Sequence, residues 1–173
     1  MKIVLTGDIY PGGDLEGADA RRAVTVPAFH AADFRLGTLE SALSDGAARA
    51  EKYVLTCKPS GARTLREMGM SAVSLAQNHI QDMGEAGIGD TLRHLDAEGI
   101  GHVGAGRTLG EARRPFWIDG DLCVLSYCRH RALTLNQVAV ADADRPGVVP
   151  LTHAEACVLE AAVKAAVVRL VGW

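Results

Sequence analysis

Asn78 and His79 stand side by side, and their types could do chemistry together. An asparagine carbonyl oxygen can serve a metal, and a histidine ring nitrogen can ligate a metal or carry a proton. Two acids occupy comparable places earlier in the chain. Asp8 ends the run Ile3-Val4-Leu5-Thr6-Gly7-Asp8, and Glu40 ends the run Asp33-Phe34-Arg35-Leu36-Gly37-Thr38-Leu39-Glu40. Acids placed at two strand ends can face one crevice, and Gly7 would let the first of them turn tightly. A plainer account stays open at each position. Asn78 then only turns the chain, His79 is a solvated loop residue, and Asp8 bonds its own backbone.

Strands and helices must put these residues in place. Residues 70–76 are mostly apolar, without Pro or Gly, and predict a buried strand. Residues 85–98 carry Ile88, Leu92 and Leu95 at helical spacing, and Gly99 stands where a C-terminal cap belongs. Strand, polar turn and helix is how an open α/β sheet presents chemistry at its carboxyl ends. Residues 3–6 predict the first strand, with Gly7-Asp8 as its turn. A short helix follows over 27–32, then a second strand over 33–39 and a third over 52–58. Pro59 suits the first turn of a helix ending at Glu67, closed by Gly69.

Gly101-His102-Val103-Gly104-Ala105-Gly106 is glycine-rich but lacks the helix that a dinucleotide loop needs, and predicts a short strand and turn. Thr108 opens a brief helix. Asp119-Gly120-Asp121 between two apolar runs signals a hairpin. Residues 128–149 have no period and form a candidate functional loop. Thr152 with Glu155 makes a capping box for a last helix with Leu159, Val163 and Val167 on one face, and 167–173 predicts a further strand. The alternation of strand and helix predicts an α/β fold with a largely parallel sheet, in one domain over 1–173.

Composition narrows the function. The chain has 173 residues, 48% of them hydrophobic, and a net charge of -3. That charge and the few aromatic residues argue against nucleic-acid partners, which call for a basic surplus or stacking platforms. No stretch is long enough to predict a membrane span. Cys57, Cys123, Cys128 and Cys157 form no C-x-x-C pair and are expected as buried, reduced thiols. Reduced thiols and the absence of a signal-peptide pattern at the start predict a cytoplasmic protein.

With Gly7-Asp8, Leu39-Glu40 and Ala76-Gln77-Asn78-His79-Ile80-Gln81-Asp82-Met83-Gly84 in view, the chain resembles the CapA-type capsule or poly-γ-glutamate synthesis family (PGA_cap). Asp90-Thr91-Leu92, Val103-Gly104-Ala105-Gly106, Glu111-Ala112 and Pro115 fall in that family's order too. The resemblance implies a calcineurin-like metallophosphoesterase sandwich and a metal-dependent hydrolase acting on a small-molecule or polymer substrate. It implies Asp8, Glu40 and Asn78 as metal ligands and His79 as the catalytic group meeting the reacting oxyanion. Lys52 is implied on the substrate side, and Gly7, Asp82 and Gly84 as residues that shape the loops.

Three positions depart from the family pattern. Thr38 stands where Asn usually precedes Leu-Glu, and Gln77 replaces the first of two asparagines. Gly172 occupies the place of a histidine in a His-Trp-Gly strand. The sequence thus resembles the N-terminal portion of the family's fold, truncated before the half that supplies imidazoles. The ligands that remain predict a divalent metal, manganese or magnesium rather than zinc, held through oxygen. His30, His94, His102, His130 and His153 are the other imidazoles, with His130 the flexible candidate to compensate. The alternative function is a non-catalytic accessory or scaffold of the same family, and a homo-oligomer is expected to cover the exposed sheet.

Overall fold

The computed structural model describes residues 1–15, 19–48, 53–120, 122–128 and 139–152. Its centre is a four-stranded parallel sheet of β1 (Ile3–Ile9), β2 (Phe34–Leu39), β5 (Ala72–Ser74) and β6 (Gly101–Val103), in that spatial order. Two further strands, β3 (Ala42–Leu43) and β4 (Thr56–Cys57), form a small parallel pair between β2 and β5 in the chain. The crossovers also carry α1 (Pro27–His30), α2 (Gly61–Met68) and α3 (Gly84–Ala97).

Sequential parallel strands that step in one direction through right-handed crossovers place their helices on one face. The core on that face joins Phe29, Leu65, Ile88, Leu92 and Leu95 from the helices to Leu39 and Val73 from the sheet. Arg35 of β2 also points there. Its guanidinium donates to the carbonyls of Phe29 (2.7 Å) and Ala32 (2.8 Å), which pins α1 to the sheet.

The opposite face follows from the register. Leu5 pairs with Leu36, Leu36 with Ala72, and Ala72 with Gly101, so these four share one row. A hairpin of β8 (Phe116–Ile118) and β9 (Leu122–Val124) lies over the Gly101 end, with Phe116 against Phe34 at 5.9 Å between ring centres. At the other end of the row Leu5 is 72% exposed. Gly104, with φ of 93°, lets the chain after the hairpin close in, since a Cβ there would lie 2.8 Å from that of Ser126. The short strands β7 (Ala105–Gly106) and β10 (Gly147–Val148) pair antiparallel, and α4 (Leu109–Ala112) follows β7 with Thr108 as its cap.

Several expectations change here. The first strand does not end at Thr6 but continues to Ile9, because Asp8 and Ile9 go on pairing with Thr38 and Leu39 after a register shift. Gly7-Asp8 is therefore strand and not a turn. Of the strand expected over 52–58, only Thr56–Cys57 forms, because its ladder partner β3 is two residues long. Residues 147–148 of the supposedly irregular stretch form β10. Cys57 and Cys128 are buried, but Cys123 is exposed, since it pairs with Trp117 on the outer side of the hairpin. Gly69 and Gly99 close α2 and α3 with positive φ as expected. The final helix and strand, Lys52, Cys157, His130, His153 and Gly172 lie outside the described residues.

Candidate active site

Three parallel strands end at one rim; Glu40, Asn78 and His79 follow the ends of β2 and β5, while Asp8 lies within the last paired residues of β1. β5 stops pairing with β2 after Thr38↔Ser74, and the next residue, Leu75, donates to the Val103 carbonyl of β6 at 2.8 Å. The chain thereby veers from β2, and residues 75–83 form a polar loop over the opening before α3. Gly84, with φ of 68°, makes the entry into that helix.

Side chains of this loop reach main-chain groups of the loops around it. Gln77 Nε2 donates to the Leu39 carbonyl at 2.8 Å, and Gln77 Oε1 accepts the His79 backbone N–H. Gln81 Oε1 accepts the Ala139 N–H. Asp82, fully buried, accepts the Leu55 N–H at 2.8 Å on Oδ2. That same oxygen accepts from His79 Nδ1 at 2.7 Å. Burying a carboxylate is costly unless it is hydrogen-bonded, and here both bonds are short. The pair fixes the imidazole in its plane and commits Nδ1 to Asp82, so Nε2 is the nitrogen a reacting oxygen would meet. The His79 side chain is 14% exposed.

Backbone contacts bring the other candidates to the same rim. Glu40 follows β2, half-buried, and its N–H donates to the Ile9 carbonyl at 2.8 Å, one residue beyond Asp8. Asn78 lies half-buried beside His79. Asp8 is exposed, and it also lines a largely apolar groove of about 440 Å³ with Val4, Thr6, Phe29 and Met70 on the helix-bearing face. Asp82 was expected only to shape the loop; the structure gives it the histidine as well. The spacing of three residues between His79 and Asp82 was visible in the sequence, but the chain between them is a turn, so no helical rule pointed to it.

Donor chemistry decides what this rim could hold. Asp8, Glu40 and Asn78 offer oxygens, which suit a hard divalent cation that keeps several waters. Among the described residues, no three His, Cys, Asp or Glu side chains stand together as cation ligands. The other described imidazoles have partners elsewhere. His30 Nε2 lies 2.7 Å from the Val24 carbonyl, His102 bonds Asp96 at 3.0 Å, and His94 lies beside Arg93 on α3.

Two titratable groups on neighbouring elements are perturbed. Asp90 of α3 is held below the usual carboxylate range by its hydrogen bonds from Arg93 and Ser44, the latter 2.7 Å away at the end of β3. Burial pushes the Cys128 thiol up.

The parallel central sheet with its crossover helices makes this an α/β protein, with a polar loop at the carboxyl rim of the sheet. The chain belongs to the bacterial capsule synthesis protein PGA_cap family, whose family model matches residues 2–171. It is similar to the PGA biosynthesis protein CapA of Bacillus subtilis (strain 168), with 26% identity over 162 residues. That match covers 83% of this chain and 40% of the relative, so the chain spans about two-fifths of the curated relative's length.

Proposed function

We propose that this chain carries a metallophosphoesterase-type, metal-dependent hydrolase site related to capsule or poly-γ-glutamate synthesis, with His79 as its acid–base group. The observation that carries this reading is the 2.7 Å bond between His79 Nδ1 and the buried Asp82, at the rim where Glu40 and Asn78 also stand. A divalent cation, manganese or magnesium, would be held through oxygens of Asp8, Glu40 and Asn78, and when bound would polarise a phosphoryl oxygen and acidify a water.

The chain's own residues do the rest. Asp82 holds the ring, and protonated His79 gives its Nε2 proton to the leaving oxygen as the phosphorus–oxygen bond breaks and water adds at phosphorus. Gln77 and Gln81 keep the loop in register with its neighbours. The reading takes the fold to be the layered sandwich of that enzyme class, with Lys52 on the substrate side. It places the protein in the cytoplasm; among the described residues no helix is long and apolar enough to cross a membrane. A second copy over the bare Leu5 end of the sheet completes it.

The second reading is a non-catalytic accessory of the same family, since Gly172 stands where the family has a histidine. One experiment separates the two. Purified protein is assayed with bis(p-nitrophenyl) phosphate and added manganese, beside His79→Ala. Slow turnover that His79→Ala abolishes supports the hydrolase. Absent turnover in protein that binds manganese supports the accessory, and tight stoichiometric zinc would overturn the oxygen-ligand assignment.

A further inference from the structure

The β2–β5 ladder stops at Thr38↔Ser74, yet β2 continues through Leu39, which is fully buried. A buried carbonyl without a partner is costly, and the diverging β5 can no longer supply one. The Gln77 amide takes the place of the missing rung, donating from Nε2 to the Leu39 carbonyl while its Oε1 accepts from His79 N–H. One planar group therefore grips the residue before Glu40 with one atom and the backbone of His79 with the other.

We propose that Gln77 is a positioning residue that sets the His79 imidazole against the end of β2 and Glu40 across the gap where the strands part. This rests on the reading of His79 as the acting group, and on no contact between Gln77 and substrate. The ring of His79 has two controls. Asp82 fixes its Nδ1 side, and Gln77 fixes the backbone from which it projects. Loss of the second control leaves the His79–Asp82 bond possible but lets the loop ride away from β2. Asparagine is one methylene shorter and cannot span both partners. Methionine has the length but neither bond.

The test compares wild type, Gln77→Met and Gln77→Glu at one fixed pH. The readouts are the backbone amide and ring ¹⁵N resonances of His79, the melting temperature, and manganese-supported hydrolysis of bis(p-nitrophenyl) phosphate. Gln77→Met is expected to move both His79 signals and lower kcat about ten-fold with KM little changed, as small misplacements of reacting groups do. Gln77→Glu keeps an acceptor for the His79 N–H and should return its amide signal towards the wild-type position without restoring the link to Leu39. If Gln77→Met does not fold, the Gln77→Glu spectrum carries the test alone. Unchanged His79 amide and ring signals in a folded Gln77→Met, or a wild-type His79 ring signal in Gln77→Glu, which lacks the link to Leu39, overturn the proposal. Turnover that survives His79→Ala would defeat the hydrolase reading instead, and the spectra would still decide the role of Gln77.

Discussion

Asp82 and Asp142 both collect several hydrogen bonds, but from different distances along the chain. Asp82 is fully buried and bonds Leu55, 27 residues away, together with His79. The Asp142 side chain, in the turn before β10, accepts only from near neighbours among the described residues, the N–H groups of Asp144 and Arg145 and the Arg145 guanidinium at 2.6 Å, while its backbone carbonyl accepts from the Leu109 N–H. The first ties the loop of residues 75–83 to the segment at Leu55. The second stiffens a turn that water would otherwise solvate. An acid's number of bonds therefore says little about its structural weight; the separation and burial of its partners say much more.

The sharpest way to break that comparison is to remove each acid in turn. Asp82→Ala leaves the Leu55 N–H and the His79 ring without their carboxylate in a buried setting, and is expected to cost about 3 kcal/mol of stability in urea or thermal melts. A loss no larger than that of Asp142→Ala would show that the long-range bonds carry no special weight.

Asp90 lies between these extremes, since it ties α3 to Ser44 but keeps a side chain 35% exposed. Its carboxyl is held below the ordinary value of 3.8, chiefly by the hydrogen bond from Arg93 and then by that from Ser44. A group depressed in the folded state contributes stability that is complete above its unfolded value and disappears as pH falls through the folded one. Asp90→Asn should therefore lower the melting temperature by a constant amount near neutral pH. That difference should close as acid is added from 3.8 downwards. A gap that instead widens with acid would reverse the assignment.

Asp142→Asn has the smallest expected effect. The amide oxygen still accepts from the turn, only the exposed ion pair with Arg145 is lost, and exposed pairs are worth little. Its melting curve should lie closer to wild type than that of Asp90→Asn.

Much of the sheet was legible because its signals are local. The apolar runs before Glu40 and Asn78, the spacing of Ile88, Leu92 and Leu95, and the Asp119-Gly120 turn each specify structure within a dozen residues. Asp119 and Gly120 both adopt positive φ, as such a hairpin demands. The β3–β4 and β7–β10 pairs were not legible, since two-residue strands carry no period and depend on partners elsewhere. The same limit applied to the site. Asn78 and His79 announced themselves by type, whereas the grips of Gln77 on Leu39 and of Asp82 on Leu55 join segments that only the folded chain brings together. Asp8 was misjudged at one step for a related reason: a glycine before an acid looks like a turn, but pairing with β2 carries the strand through it.

The order of the central sheet has a consequence for how the molecule is made. β1, β2, β5 and β6 lie side by side in the order in which a ribosome produces them. Each strand therefore emerges after the neighbour on which it docks, and only one growing edge needs to wait for the next segment. Such a sheet can be laid down from the N-terminus without holding early strands apart for late ones. The loop with His79 arrives once β1 and β2 are available, so the rim of the site is assembled in the same direction as the chain.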